Sequence, residues 1–197
     1  MGPGQRIVIG IGGKIGTGKT TVAKIFHDLG AQYISADEVG WEVLPEITDV
    51  LQEEFGKGIM SGVKIDKQKL RELVFGDAQK LEFLNRVSHP ILTKRIIDRV
   101  EDIKTGVVAI DAALLFDWPE VYGIVDYSIL VKARRDLMVE RARAKGMSSR
   151  LFVQIMKQQK SEQDMEAQAS YVIENNGTMT ELRKKCQVIY EKLSHDC

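Results

Sequence analysis

Gly10-Ile-Gly-Gly-Lys-Ile-Gly-Thr-Gly-Lys-Thr-Thr-Val22 is the stretch whose reading decides the fold. Within it, Gly13-Lys-Ile-Gly-Thr-Gly18-Lys19-Thr20 fits G-x-x-x-x-G-K-[ST], the phosphate-binding loop. Gly13, Gly16 and Gly18 lack a Cβ. The backbone they share with Lys14, Ile15 and Thr17 can therefore bend tightly and offer its N–H groups to phosphate oxygens. The helix behind the loop, continued by Thr21, adds the positive end of its dipole. Lys19 would reach β- and γ-phosphates, and the Thr20 hydroxyl would bind Mg²⁺.

The flanks agree with that reading. Arg6-Ile-Val-Ile-Gly10 is a short β-rich apolar run, as a buried strand before the loop should be. Val22, Ile25, Phe26 and Leu29 share one helical face, and Gly30 ends the helix. A plain glycine-rich turn would not need both. Ala31-Gln-Tyr-Ile-Ser35 then reads as a second strand, closed by Ala36-Asp37. A carboxylate there lies where open parallel sheets bind ligands, although Asp37 could equally cap the next helix.

Residues 38–55 read as helical, with Pro45 forcing a break or a new first turn. Gly56-Lys-Gly58 and Ser61-Gly62 mark a loop. Asp66 caps an amphipathic helix running to Phe75, and Gly76-Asp77 breaks it. Residues 78–102 are mostly helical, interrupted at His89-Pro90 because proline disfavours helical geometry in the residue before it. Residues 37–104 thus form a helical insertion too long for a simple crossover, and a substrate-binding subdomain is its natural use.

Val107-Val-Ala-Ile-Asp111 is a third, buried strand ending in an acid. Asp111 serves Mg²⁺, directly or through water, or else is a helix cap or turn residue. Asp126 to Val131 is the fourth strand. Residues 134–145 are basic and helical, carrying Arg134, Arg135, Arg141, Arg143 and Lys145. Gly146-Met-Ser148 breaks them, and Ser148 caps a further helix to about residue 169. Such a basic pair is either a solvated face or a lid that closes arginines over ATP. Tyr171-Val-Ile-Glu174 is the fifth strand, Asn175-Asn176-Gly177 a turn, and 178–193 the closing helix. The expected fold is α/β: a P-loop NTPase-type parallel five-stranded sheet with helices on both faces. Its nucleotide-binding core comprises 1–36, 105–133 and 170–197, with the insertion at 37–104 and the lid at 134–169.

Lys+Arg and Asp+Glu are both 28, so the formal net charge is zero. General nucleic-acid or membrane-surface binding, which rests on excess positive charge, is not expected. Cys186 and Cys197 have no metal-ligand spacing and suggest no disulfide framework. No apolar run approaches membrane-spanning length, and the N-terminus lacks a signal-peptide pattern; Met1-Gly-Pro-Gly4 reads either as a flexible leader or as a cloning scar. A monomer in a reducing cytoplasm is the expectation.

From Ile7 to about Leu193 the chain resembles the dephospho-coenzyme A kinase family. The resemblance rests on an ordered set of motifs: Gly12 to Val22, Ala36-Asp37, Leu70-Arg-Glu-Leu-Val-Phe75, His89-Pro90, Leu114-Leu115, Arg141, Gln159 and Asn175-Asn-Gly177. It departs at Lys14, usually Gly; Trp41, often His or Arg; Ala113, often Pro; Lys145-Gly146, often Arg-Asp; and Ser170, often Asp. The resemblance implies transfer of the ATP γ-phosphate, with Mg²⁺, to the ribose 3′-hydroxyl of dephospho-coenzyme A. It gives Asp37 the role of orienting that hydroxyl and accepting its proton. Lys19 and Arg141 would offset charge on the moving group, with Lys145 a further candidate, and the Asn175–Gly177 turn would flank adenine. His89 reads better as a packed or hydrogen-bonded residue than as a catalyst. Another small phosphate-loop kinase and a non-catalytic nucleotide-binding regulator are the alternatives. The retained Asp37 and the absence of an Asn-Lys-x-Asp guanine-reading motif weigh against the second.

Overall fold

The order of five parallel strands sets up the site. The computed structural model describes residues 5–194, so Met1 to Gly4 and Cys197 lie outside it. β1 (Arg6–Gly12), β2 (Gln32–Ser35), β5 (Gly106–Asp111), β6 (Tyr127–Lys132) and β7 (Tyr171–Glu174) form one sheet in the order β2-β5-β1-β6-β7. All of its pairings are parallel. The chain moves from β1 out to β2, returns through β5 beside β1, then crosses to β6 on β1's other flank. β1 therefore sits at the switch in strand order, where ligands bind off the carboxyl ends of the strands.

Alternation along the strands fills two layers. Val8, Val108 and Ile110 face one apolar cluster, and Ile7, Ile9, Ile11, Val107 and Ala109 face the other. The second cluster is closed by α1 (Lys19–Asp28) and α10 (Met179–Ser194), with free Cys186 buried inside it. The first is closed by α2 (Ala36–Val43), α3 (Thr48–Phe55), α4 (Lys67–Phe75) and α5 (Ala78–Asp102) of the insertion, and by the short α6 (Pro119–Tyr122) that follows β5. Pro45 opens the single 3₁₀ turn that separates α2 from α3, and Asp66 caps α4 by accepting from the Gln68 and Lys69 N–H groups. Both follow from the sequence.

Three expectations need correcting, and a fourth point settles a choice left open. First, His89-Pro90 does not interrupt α5, which runs unbroken for 25 residues with Pro90 inside. Proline removes one helical hydrogen bond, but the neighbouring turns are tied down. Ser88 Oγ donates to the Leu84 carbonyl at 2.7 Å, Thr93 Oγ1 to the His89 carbonyl at 2.9 Å, and Trp118 Nε1 to His89 Nδ1 at 3.1 Å. Second, the loop after Gly56 contains a 3₁₀ turn and a two-stranded hairpin, β3 (Met60–Ser61) and β4 (Lys64–Ile65). Third, the helix after Ser148 ends early. α7 (Arg135–Ala144) is followed by α8 (Ser149–Gln158) and α9 (Glu162–Glu166), because Ser161 caps a new start through the Asp164 N–H. Fourth, Asp37 is not the cap of α2. Ser35 is, accepting from the Glu38 N–H at 3.2 Å, and Asp37 sits inside the first turn.

Candidate active site

The loop between β1 and α1 is held in shape from inside and from three distant segments. Gly13, Gly16 and Gly18 all have positive φ, the conformation in which glycine carries no steric penalty. Thr17 N–H and Oγ1 both donate to the Lys14 carbonyl, at 3.3 and 2.8 Å, and Lys19 Nζ reaches the same oxygen at 3.2 Å. From outside, the Ile15 N–H donates to Gln159 Oε1 at 2.9 Å. The fully buried Thr17 offers its carbonyl to Asn175 Nδ2 at 2.8 Å and Arg141 Nη1 at 3.3 Å. Arg141 Nη2 also donates to the Asn175 carbonyl at 2.9 Å. A Cβ on Gly16 would collide with the Met138 backbone, so α7 lies directly on the loop.

A recess of about 470 Å³ opens over this loop. Lys19, Thr20, Thr21, Asp37, Asp111, Arg141, Gln159, Asn175 and Gly177 are among the residues that line it. Strand register brings the acids together. β2 pairs with β5 so that Ser35 lies opposite Asp111, and β1 places Ile11 opposite Asp111 from the other side. Asp37, two residues past Ser35, then projects from the first turn of α2 at the same sheet edge.

The charges respond to one another. Burial pushes the Lys19 ammonium below its ordinary range, opposed by Asp111 and Asp37 and reinforced by Lys145. Burial raises the Asp111 carboxyl, against a hydrogen bond from Thr20 and the Lys19 charge. Tyr33 was not foreseen: its hydroxyl donates to Asp111 Oδ2 at 3.3 Å, and burial pushes its pKa up to about 12, which keeps it a donor. Thr20, Asp111 and Asp37 are hard oxygen donors around one recess, short of a full protein cage. No group of three or more His, Cys, Asp or Glu suited to a metal occurs among the described residues.

A dephospho-CoA kinase family model matches residues 7–181. The chain belongs to the dephospho-CoA kinase family. A dephospho-CoA kinase from Aquifex aeolicus is 34% identical over 196 residues, covering 95% of this chain and 98% of that one. A crystal structure from Thermus thermophilus matches with TM-score 0.78 at 26% identity, over 96% of this chain and 98% of the other. The fold also matches dephospho-CoA kinase from Campylobacter jejuni, TM-score 0.68 at 20% identity, over 98% and 99% of the two chains.

The departures from the family pattern fall into distinct places. Ser170 exchanges two hydrogen bonds of 3.1 Å with Ser128 at the strand ends opposite the recess, so it touches none of this chemistry. Ala113 lies between the phosphate recess and an apolar recess beyond Asp37. That second recess, about 320 Å³, is walled by Leu70, Phe75, Leu84, Leu114 and Trp118. Trp41 and Lys145 stand on the rims. His89 lines the apolar recess half-buried, with its pKa lowered by burial against the pull of Glu120. Because Trp118 donates to Nδ1, the neutral ring carries its proton on Nε2.

Proposed function

We propose that this chain transfers the γ-phosphoryl group of ATP to the ribose 3′-hydroxyl of dephospho-CoA, the last step of coenzyme A synthesis. The observation that carries the reading is the position of Asp37. It lines both the phosphate recess and the apolar recess, and its exposed carboxylate accepts no hydrogen bond from any described residue. A carboxylate between a phosphate-loop recess and an adjoining apolar pocket can orient a hydroxyl and take its proton.

The other residues act around that point. The loop from Gly13 to Thr21 holds the nucleotide phosphates, and Gly177 with the Asn175 backbone flanks the base. Lys19 meets charge on the transferred group, and Arg141 stands ready at the loop it already grips. Thr20 and Asp111 fit Mg²⁺, which is commonly held by one or two carboxylates together with substrate phosphates and water. When bound there, it would supply charge neutralisation for the nucleotide phosphates. The buried Asp111 carboxylate, raised by desolvation, is a group that a cation would relieve. Residues 37–104 are the acceptor subdomain, and 134–169 serve as the lid. The reading takes the chain as a cytoplasmic monomer; no helix among the described residues is long and apolar enough to cross a membrane.

The test is an acceptor screen with Mg-ATP, measuring ADP release and the position of the new phosphate. Release that depends on dephospho-CoA and yields a 3′-phosphate supports the reading. Faster release with a nucleoside monophosphate or sugar acid moves the chain to another small-kinase reaction. Tight Mg-ATP binding without release for any acceptor marks a regulator.

A further inference from the structure

Asp111 is one of the two residues that fit Mg²⁺, and the structure fixes how its carboxylate is turned. It ends β5 and is buried. Two side chains hydrogen-bond it: Thr20 from the start of α1 and Tyr33 from β2. Thr20 belongs to the phosphate loop and is itself a candidate cation ligand. Tyr33 stands outside the loop, and its hydroxyl donates to Oδ2 at 3.3 Å. A carboxylate turns about a single bond, so a donor on one of its oxygens decides which oxygen is left for a ligand.

The fold places the ring of Tyr33. β2 pairs with β5 so that Tyr33 lies opposite Ala109, two residues before Asp111 and therefore on the same face of the sheet. The ring packs against the second apolar cluster. His27 lies on its flank, with ring centroids 6.4 Å apart and planes tilted by 47°. His27 is fixed in turn, its Nδ1–H donating to the Ala31 carbonyl at 2.9 Å. An aromatic side chain has two torsions, and these contacts leave its hydroxyl little freedom. The contact with Asp111 is thus made by an oriented donor on a rigid element, which is how the partners of metal-binding carboxylates work.

Divalent cations differ in what they ask of a carboxylate. Mg²⁺ demands near-ideal octahedral geometry, with oxygens at about 2.0–2.1 Å. Ca²⁺ takes more oxygens, at about 2.3–2.6 Å, and accepts both oxygens of one carboxylate. Those two oxygens sit too close together to fill neighbouring corners of an octahedron. We propose that Tyr33 is a positioning residue for cation selection: by holding Oδ2 of Asp111 it makes this carboxylate a one-oxygen ligand, which favours Mg²⁺ over a larger divalent cation such as Ca²⁺. The proposal deepens the assignment of Thr20 and Asp111 to Mg²⁺ and rests on it. Tyr33 acts only through Asp111 and touches neither the nucleotide nor the cation.

Calorimetric titration of ADP reads this without turnover. ADP is titrated into wild type, Tyr33→Phe, Asp111→Asn and the double variant, each in excess Mg²⁺, in excess Ca²⁺ and in chelator. Tyr33→Phe keeps the ring and its packing, and melting temperatures check that every variant is folded. The factor by which a cation tightens ADP measures how well the site takes that cation. Binding of the cation by free ADP is common to all four proteins and cancels. Losing a hydrogen-bond partner of a ligating carboxylate typically costs roughly 10–100-fold in metal affinity, and a bond of 3.3 Å belongs at the low end. In Tyr33→Phe the Mg²⁺ factor should therefore fall about 10-fold, while the Ca²⁺ factor holds or rises. ADP in chelator should bind as it binds wild type. In the Asp111→Asn background, Tyr33→Phe should change neither factor, because its action passes through that carboxylate. Equal Mg²⁺ factors in wild type and Tyr33→Phe overturn the proposal, as do parallel losses with both cations or a loss that persists in the Asp111→Asn background. So does a wild type that binds ADP no tighter in Mg²⁺ than in chelator. Turnover of dephospho-CoA by wild type decides the kinase reading separately. Turnover with equal factors sinks only the role of Tyr33. Without turnover the acceptor reading fails, and the cation factors still decide Tyr33.

Discussion

Asp37 and Ser35 make a pair of substitutions that separate chemistry from capping. Ser35 carries the cap of α2, and Asp37 occupies the first turn with its carboxylate free. Replacing Ser35 by Ala removes the hydrogen bond to the Glu38 N–H and should cost about 1 kcal/mol. Asp37→Asn removes no hydrogen bond; it loses only an acid near the positive end of a helix, worth roughly 0.3–1 kcal/mol. For a chain of this length about 1 kcal/mol shifts the melting temperature by roughly 2–4 °C. The two variants should thus be nearly indistinguishable in stability, with Ser35→Ala the lower. Turnover should separate them. General-base assistance is worth roughly 10²–10⁴-fold, and a loose phosphoryl-transfer transition state puts Asp37→Asn at the low end, about 2.7 kcal/mol of barrier. Ser35→Ala should keep its rate within a few-fold. The assay is single-turnover transfer from Mg-ATP to dephospho-CoA, run beside thermal melts. A wild-type rate in folded Asp37→Asn, or equal rate losses in both variants, would refute the assignment of Asp37 as the base.

Lys19→Ala should slow transfer by about two to three orders of magnitude, roughly 3–4 kcal/mol. It should leave the melting temperature unchanged or raised, because the ammonium is desolvated in the folded chain; near-wild-type turnover removes it from the mechanism. Gly16→Ala should cost roughly 2–5 kcal/mol, left-handed strain plus a collision with the Met138 backbone; an unchanged melt with normal Mg-ATP affinity would mean that α7 does not rest on the loop. His89 should weaken the fold in acid. Its folded pKa lies below 6.5, so the unfolded chain takes up the proton first, and stability falls as pH drops from about 6.5 toward that lower value. His89→Gln should flatten the stability–pH curve in that window, and an unaltered slope would place the acid sensitivity elsewhere.

The phosphate loop, the five strands and the parallel order were legible because each rests on local signals: a fixed motif, short β-branched runs and a glycine after the helix. Asp37 and Asp111 were legible as acids at strand ends, since the sheet edge follows from strand polarity. What closes the site was less so. Nothing local in residues 88–93 says that Trp118, from a later segment, will pin His89 and let α5 pass through Pro90. Tyr33 looked like an ordinary strand residue, and only the β2–β5 register turns its hydroxyl onto Asp111. The hairpin at 60–65 pairs two residues on each side, too few for any periodicity to register. Ser35 and Asp37 are both good capping residues, and backbone geometry alone decides between them.

The same contacts bear on how a lid could move here. α7 cannot leave easily: Met138 is packed against Gly16, and Arg141 grips both the Thr17 and Asn175 carbonyls. A carbonyl has two lone pairs, and Thr17 spends both on Arg141 and Asn175. Pulling α7 away would leave that fully buried oxygen half satisfied, at a cost of about 1–3 kcal/mol for the group. The segment beyond Gly146 is held differently. Its tie to the loop is Gln159 Oε1 on the Ile15 N–H, with Lys160 Nζ on the Phe116 carbonyl at 2.9 Å beside it. The Ile15 N–H is also one of the donors that a phosphate loop offers its ligand. An incoming phosphate oxygen therefore competes with Gln159 for that donor. If the loop takes a nucleotide as proposed, the segment carrying α8 would respond to it, while Arg141 stays in register with the loop, so closure by this part would not need to carry the arginine in from solvent.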